Sequence, residues 1–476
     1  VKRLSDATLA EAGPEVGRPR YDRAATTIGV VHFGPGAFHR AHQAAYFDRL
    51  LAADPRWAIC AVSLRTPDVA EALRPQDGLY TLVELGEETR VRVIGAIREV
   101  LVAAWEPEAV AQRLASPDTR IVTLTVTEKG YCLTPQGWLD HDHPDIVHDI
   151  ANPTRPRSVI GWLVEGMARR MAAGLPPFVT LSCDNLSPNG PKLQQAVVAL
   201  AQYRGVELHR WIGATAKFPA TMVDSITPAT DDALRTRVTG LLGLEDAWPV
   251  QREPFSQWVI KDDVGPDRDA LSVVATLTDD VAAWEQAKLR LLNGAHSTLA
   301  YAGILRGHQT VRDAMADASL ANFVRAMMLE DIAPTLQPPA GLDVHAYVEA
   351  LLERFRNPAI EHRLSQIAWD GSQKLPIRIL GTIRATLVAG RLVGRLAVPV
   401  AAWMRFVVRQ AGAATPLTDP LAAPLAALGK ACGGDPAQDA ARFLAFDAVF
   451  PREMAADGRF VDAVVGAYAR LPELPA

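Results

Sequence analysis

The sequence predicts an α/β protein: a doubly wound sheet in an N-terminal domain, followed by a mostly α-helical C-terminal domain. Three observations lead there. The 476 residues exceed what one hydrophobic core usually supports. Four short apolar runs in the first part each end in a turn, with helical stretches between them. After about Val281 the apolar residues instead recur at three- and four-residue spacing. The expected domains are therefore 1–281 and 282–476.

Residues before about Thr27 are polar and irregular and read as a surface arm. The first strand is IGVVHFG from Ile28, followed by the helical stretch AHQAAYFDRLLA. WAICAVSL (Trp57 to Leu64) stops at Arg65, Thr66 and Pro67. RIVTLTV (Arg120 to Val126) runs into Thr127-Glu128-Lys129-Gly130, and PFVTLSC (Pro177 to Cys183) into Asp184-Asn185. Apolar runs of this length, spaced by helices, suit buried parallel strands. In the C-terminal part, WEQAKLRLL, TLAYAGILRG, LANFVRAMMLEDI, VHAYVEALLERF and AAWMRFVVRQ carry the helical period. Ala411 to Pro424, rich in Ala, Pro and Thr, reads as an interhelical loop.

Composition narrows the function classes. A net charge of −5 from scattered charges, with no basic block, argues against a nucleic-acid partner. Cys60, Cys132, Cys183 and Cys432 are far apart and form no CxxC pair, which disfavours a disulfide framework or a cysteine zinc site. The polar N-terminus and the absence of a membrane-length apolar stretch predict a cytoplasmic protein without membrane association.

Three segments carry candidate chemistry. In HFGPGAFHRAHQ (His32 to Gln43), Gly34 and Gly36 follow a strand and precede a helix, as a phosphate-binding turn requires. The third glycine of the usual fingerprint is replaced by His39, so this motif alone is weak. After the second strand, Asp68 would accept from ribose hydroxyls and favour NAD, whereas Arg65 would pair with a 2′-phosphate and favour NADP. In SCDNLSPNG (Ser182 to Gly190), Asn185 is a neutral donor at the carboxyl end of a strand, suited to a carbonyl oxygen that gains negative charge. By itself, Asp-Asn after a strand is more often a turn or helix cap. In WEQAKLRLLNGAHS (Trp284 to Ser297), an ideal helix puts Lys288, Asn293 and His296 on one broad face. A lysine among Ala287, Leu291 and Leu292 is a candidate acid/base, or else a snorkelling side chain. Ketone reduction needs a hydride donor, a proton donor and amides around the oxygen, and these segments would provide all three without metal.

Together, HFGPGAFHRAHQ, TVTEKGYC (Thr125 to Cys132), SCDNLSPNG, KFPATMVDSITP (Lys217 to Pro228), KLRLLNGAHS and DGSQKLPIR (Asp370 to Arg378) resemble the signatures of the mannitol dehydrogenase family. The resemblance spans about Ile28 to Arg378. It implies a Rossmann-type N-terminal domain, a helical C-terminal domain, NAD as cofactor with NADP open, and a monomer. It also implies Lys288 as general acid/base, Asn185 and Asn293 polarising the reacting oxygen, and His296 on a neighbouring substrate hydroxyl. By the same resemblance Asp224 binds substrate and Glu285 exchanges the proton. Phe33, Gly34, Gly36, Phe38, Arg40, Asp68, Glu128 and Lys129 would hold the cofactor.

One departure concerns substrate. Polyol-oxidising members carry an Arg eight residues before the lysine of the DGS segment; here Gln366 stands there and Lys374 is kept. The string NPAIEHRLSQIAWDGSQKLPIR is closer to the hexuronate reductases, and Lys374 and Arg378 would then pair with a sugar-acid carboxylate. The expectation is D-fructuronate reduction to D-mannonate, with mannitol or another polyol as the alternative. A non-catalytic sugar-acid or dinucleotide binder is the rival from another class. A zinc hydrolase built on His141, His143 and His148 is disfavoured, because Pro144 and the loop-like composition suit a solvated turn.

Overall fold

The computed structural model describes residues 1–471. The chain divides into two compact units, Val1–Val281 and a second that begins at Ala282. The strands of the first, in chain order, are β1 (Ile28–Phe33), β2 (Ala58–Ser63), β3 (Tyr80–Glu84), β4 (Arg90–Ile94), β5 (Ile97–Val102) and β6 (Ile121–Leu124). They continue with β7 (Val179–Ser182), β8 (Thr221–Asp224), β9 (Val250–Arg252), β10 (Gln257–Lys261) and β11 (Thr276–Thr278).

The main sheet has the order β5-β2-β1-β6-β7, with every neighbouring pair parallel. Side chains alternate between its faces. Val30, Ile59, Ala61 and Ile121 enter one core cluster, while Val31, Phe33, Cys60, Val62, Val122 and Leu124 enter the other. Both faces are covered, which is why these strands read as continuous apolar runs. The edge strand β5 escapes that reading because Arg98 and Glu99 interrupt it. The chain leaves β1 to one side for β2 and reaches β6 on the other, so the order reverses beside β1. Ligands of open α/β sheets bind at such a switch point, beyond the carboxyl ends of the strands. Two three-stranded sheets, β11-β10-β8 and β4-β3-β9, complete the unit.

The N-terminal segment differs from the expected surface arm. Leu4, Ala12 and Val16 are buried, Leu4 N–H donates to the Glu245 carbonyl at 2.9 Å, and Arg23 donates through Nε to the Gly95 carbonyl at 3.0 Å. A few apolar anchors suffice to dock a polar-looking segment.

Among the described residues the regular elements of the second unit are all helices, built around the long helix Gly394–Ala411. The helix Gly294–Leu305 packs on it and is buried from Gly294 through Gly303 on every side, so it is a core helix rather than an amphipathic one. Three π-helical segments interrupt the α-helices: Lys288–Asn293, Met327–Ile332 and Pro376–Leu380. The segment expected as a loop remains non-helical to Leu421, and the helix Ala422–Lys430 follows.

Candidate active site

In the first unit a cavity of about 750 Å³ opens at the carboxyl ends of β1, β2 and β6. Gly34 makes the turn out of β1. Its φ is +85°, and a Cβ there would lie 2.1 Å from the Thr125 carbonyl oxygen, so both conformation and space require glycine. Gly36 caps the short helix Ala37–Ala41. Below the turn, the buried His32 ring binds Thr123 Oγ1 at 2.7 Å through Nδ1, and through Nε2 the Gly34 carbonyl at 3.1 Å and Thr125 Oγ1 at 2.9 Å. A carbonyl only accepts, so Nε2 carries the proton and Nδ1 accepts. Burial drives the His32 pKa down to about 3, which keeps the ring neutral. His39, the residue in place of the third glycine, stacks on His32 with ring centroids 3.3 Å apart.

The loop after β6 is held by Asp184, which accepts from Val126 N–H (2.9 Å), Thr127 N–H (3.0 Å) and the Tyr131 hydroxyl (2.7 Å). Burial raises the Asp184 pKa, and these three donors oppose the rise. Thr127 sits at φ +63°, a conformation that costs a β-branched residue energy and persists while Asp184 holds its amide and that of Val126. In the β7 turn, Asn189 donates to the Ser182, Asp184 and Thr221 carbonyls and accepts from Gly190 N–H and Thr221 N–H. Sequence reasoning singled out Asn185 in this motif and missed both scaffolding residues. Asp184 and Asn189 are visible only as turn formers until their partners are seen. Asn185 itself is exposed just past β7, and Asp224 is buried at the end of β8.

Of the residues expected around a cofactor, Gly34, Gly36 and Lys129 line the cavity. The structure places the other five elsewhere. Phe33 is a core side chain. Phe38 stacks on His42. Arg40 is fully buried, donating to the Trp248 carbonyl and lying over the Tyr80 and Trp248 rings. Asp68 opens the helix Asp68–Leu73 with its side chain exposed and outside the lining, and Glu128 is exposed beside Lys129. The lining adds Ser63, Arg65, Thr125 and Arg157, and Arg65 is paired with Asp145.

The histidine-rich turn is likewise rearranged. His143, without His141 or His148, joins Cys132 and Asp145 with ligand atoms within 4.8 Å of one another. All three already have duties: His143 Nδ1 accepts from Asp145 N–H, Asp145 holds Arg65, and burial raises the Cys132 thiol to about 12. Cofactor phosphates suit the Gly34 turn and its neighbouring cations; a zinc ion does not suit this trio.

In the second unit Lys288 opens a π-helical segment and Asn293 ends it. Hydrogen bonding from i to i+5 returns Asn293 above Lys288, bringing the two closer in azimuth than an ideal α-helix would. His296 follows three residues later on the adjoining α-turn. Glu285 lies on the helix Val281–Ala287, one turn before Lys288.

The π segment Pro376–Leu380 packs against Lys288–Asn293 and brings the DGS motif alongside. Gly371 is obligatory: a Cβ there would lie 2.4 Å from Trp403 Nε1 and 2.6 Å from the Tyr301 hydroxyl. Ser372 donates to Asp419 from its hydroxyl at 2.5 Å and its N–H at 2.8 Å. So anchored, Arg378 donates to Ser297 Oγ at 3.2 Å, and Lys374 donates to the Ile367 carbonyl at 3.3 Å. Burial lowers the pKa of each, and for Lys374 the Arg378 charge adds to the effect. His296, 7% exposed, packs on Phe355 at 4.6 Å and edge-on to His362 at 5.1 Å. Burial, then the charges of His362, Arg378 and Arg354, hold its pKa well below the usual value. Gln366, in contrast, is exposed.

Residues 28–271 match the mannitol dehydrogenase Rossmann domain, and residues 280–472 match the mannitol dehydrogenase C-terminal domain. The chain is 40% identical to the D-mannonate oxidoreductase of Escherichia coli (strain K12) over 98% of each protein. It is also 40% identical to a mannitol 2-dehydrogenase of Pyrenophora tritici-repentis, over 93% of this chain and 79% of that one. Among solved structures, the Pseudomonas fluorescens mannitol 2-dehydrogenase ternary complex with NAD and D-mannitol matches with a TM-score of 0.83 and 39% identity, covering 99% of this chain and 97% of that one. The chain therefore belongs to the mannitol dehydrogenase family and is an oxidoreductase.

Proposed function

We propose that this protein uses NAD to interconvert a secondary alcohol and a ketone on a sugar acid, with D-fructuronate and D-mannonate as the substrate pair. The observation that carries the choice of substrate is the inward-held cation pair Lys374 and Arg378 beside His296, with the exposed Gln366 in the position that is Arg in polyol oxidisers. A carboxylate offsets the cost of keeping two cations partly desolvated; a neutral polyol does not.

Bound at the Gly34 turn, the nicotinamide nucleotide supplies the hydride acceptor or donor. Gly34, Gly36 and Lys129 would receive its phosphates. The Arg65–Asp145 pair favours NAD over NADP, because a 2′-phosphate would have to displace Asp145. Lys288 gives or takes the hydroxyl proton and Glu285 exchanges it with solvent. Asn185 and Asn293 donate to the oxygen as charge develops, His296 bonds a neighbouring hydroxyl, and Asp224 orients the sugar. No step requires a metal ion. We also read the protein as a cytoplasmic monomer without a nucleic-acid partner, which size-exclusion chromatography with light scattering tests for the oligomer.

The test is NADH and NADPH oxidation with fructuronate, tagaturonate, fructose and xylulose, with and without EDTA. Preference for a keto acid with NADH, unaffected by EDTA, is expected. Preference for fructose would establish the polyol reading, which the likeness to the mannitol-bound relative favours. Binding of NADH without turnover of any ketose would leave a non-catalytic binder.

A further inference from the structure

We infer that His362 is a substrate-discriminating residue of the second unit: its ring supplies an additional donor to the acidic end of a sugar acid and has no comparable use on a neutral polyol. The inference rests on the carboxylate reading above and extends it to a residue to which the sequence reading gave no role.

His362 lies between the helices Val344–Arg356 and Leu364–Ile367. Its backbone is fixed, since its carbonyl accepts from Val311 N–H at 2.9 Å. The side chain is not so provided for. Nδ1 is shielded from solvent with no hydrogen-bond partner among the described residues, and the same is true of His296 Nε2 on the ring 5.1 Å away. Two unpartnered imidazole nitrogens on adjacent rings are costly unless a ligand meets them.

The charges around this ring are of one sign. Lys374 and Arg378 come from the DGS segment, and Arg354, from the helix Val344–Arg356, acts on the neighbouring His296. The adjacent Glu361 is exposed and paired with Arg363. Burial, Arg378 and Lys374 together hold the His362 pKa below its usual value, so the empty site presents a neutral ring. A carboxylate reverses the balance by attracting the proton and accepting the hydrogen bond. Sugar-acid binding then takes up a proton and strengthens as pH falls toward the pKa of the empty ring. Binding of a polyol takes up none at this residue.

The experiment is calorimetric titration of D-mannonate, and separately D-mannitol, into protein saturated with NADH, a combination that does not react. Repeating it in buffers of different ionisation enthalpy gives the protons taken up. Wild type should take up a fraction of a proton with mannonate and none with mannitol. His362→Leu should abolish the uptake and lower the keto-acid over neutral-ketose selectivity, as kcat/KM, by roughly ten- to hundredfold, the loss of a charge-assisted bond. His362→Asn, which keeps an amide donor near Nδ1, should recover part of the selectivity without the uptake. Mannonate binding with no proton uptake, or equal losses for acid and neutral substrates in both variants, overturns the role of His362 alone. Failure of wild type to bind mannonate while binding mannitol overturns the carboxylate reading itself.

Discussion

The two regions that carry candidate chemistry are constructed on opposite principles. At the carboxyl edge of the parallel sheet, the cavity is shaped by backbone: the positive-φ turn at Gly34, the strained Thr127, and a loop gripped by Asp184. Its buried imidazole, His32, is spent on internal hydrogen bonds. In the helical unit the working parts are side chains, and the backbone contributes by changing their direction through π-turns at Lys288–Asn293 and Pro376–Leu380. There the buried His296 and the half-buried His362 each keep a shielded nitrogen unpaired among the described residues. A nucleotide is the same in thousands of enzymes and can be met by backbone amides, whereas a particular sugar must be met by particular side chains.

The sharpest way to break that contrast is Lys288→Ala. Turnover should fall by about 10²–10⁴-fold with little change in NADH affinity measured by fluorescence titration. Near-normal turnover would remove Lys288 from the chemistry. Next in size, Arg378→Gln should raise KM for the keto acid by roughly ten- to hundredfold, as expected when a hydrogen bond to a charged group is lost. An equal rise for fructose would show that Arg378 merely supports Ser297.

On the nucleotide side a smaller effect is expected. Asp145→Ala frees Arg65 and should improve NADPH use relative to NADH by about tenfold or less, as suits an exposed charge. No change in that ratio would dissociate the ion pair from cofactor choice. The smallest effect concerns stability of the helical unit. Asp317 accepts from Leu320 N–H at the helix start and pairs with Arg306; backbone and side-chain hydrogen bonds, opposed by burial, lower its pKa to about 2. A carboxylate depressed in the folded state stabilises above its unfolded pKa and loses that contribution as pH falls. Asp317→Ala should therefore cost about 1 kcal/mol near pH 7, and the difference from wild type in urea unfolding should shrink between about pH 4 and pH 2. A pH-independent difference would show that packing, not the cap charge, is what the substitution removes.

Much was legible without coordinates because it is local. The strands β1, β2, β6 and β7 announce themselves as apolar runs buried on both faces, and the Gly34 turn by its place between strand and helix. Spacing puts Lys288, Asn293 and His296 on one helix face, and the family resemblance, not the spacing, singles them out as candidates. Edge strand β5 was not legible, since Arg98 and Glu99 break its apolar run, nor were the small sheets, whose strands such as TMVD, VQR and TLT are short and mix polar with apolar residues. Nor was the fate of Arg40: a motif position fixes a residue's address, but burial under Tyr80 and Trp248 is settled by strands and loops far along the chain.

By itself, then, the sequence determined the order along the chain of the main-sheet strands β1, β2, β6 and β7, the glycine at the Gly34 turn where no Cβ fits, and which residues are candidates to move a proton, all of them consequences of local sterics and side-chain chemistry. Only tertiary structure decided which of the charges are inward. Arg65 is neutralised by a residue eighty positions away, Asp68 and Gln366 face solvent, and His362 is brought beside His296 with a nitrogen left to satisfy. The physical reason is that a charge or an imidazole takes its character from desolvation and neighbours, and those are set by packing between segments distant in sequence.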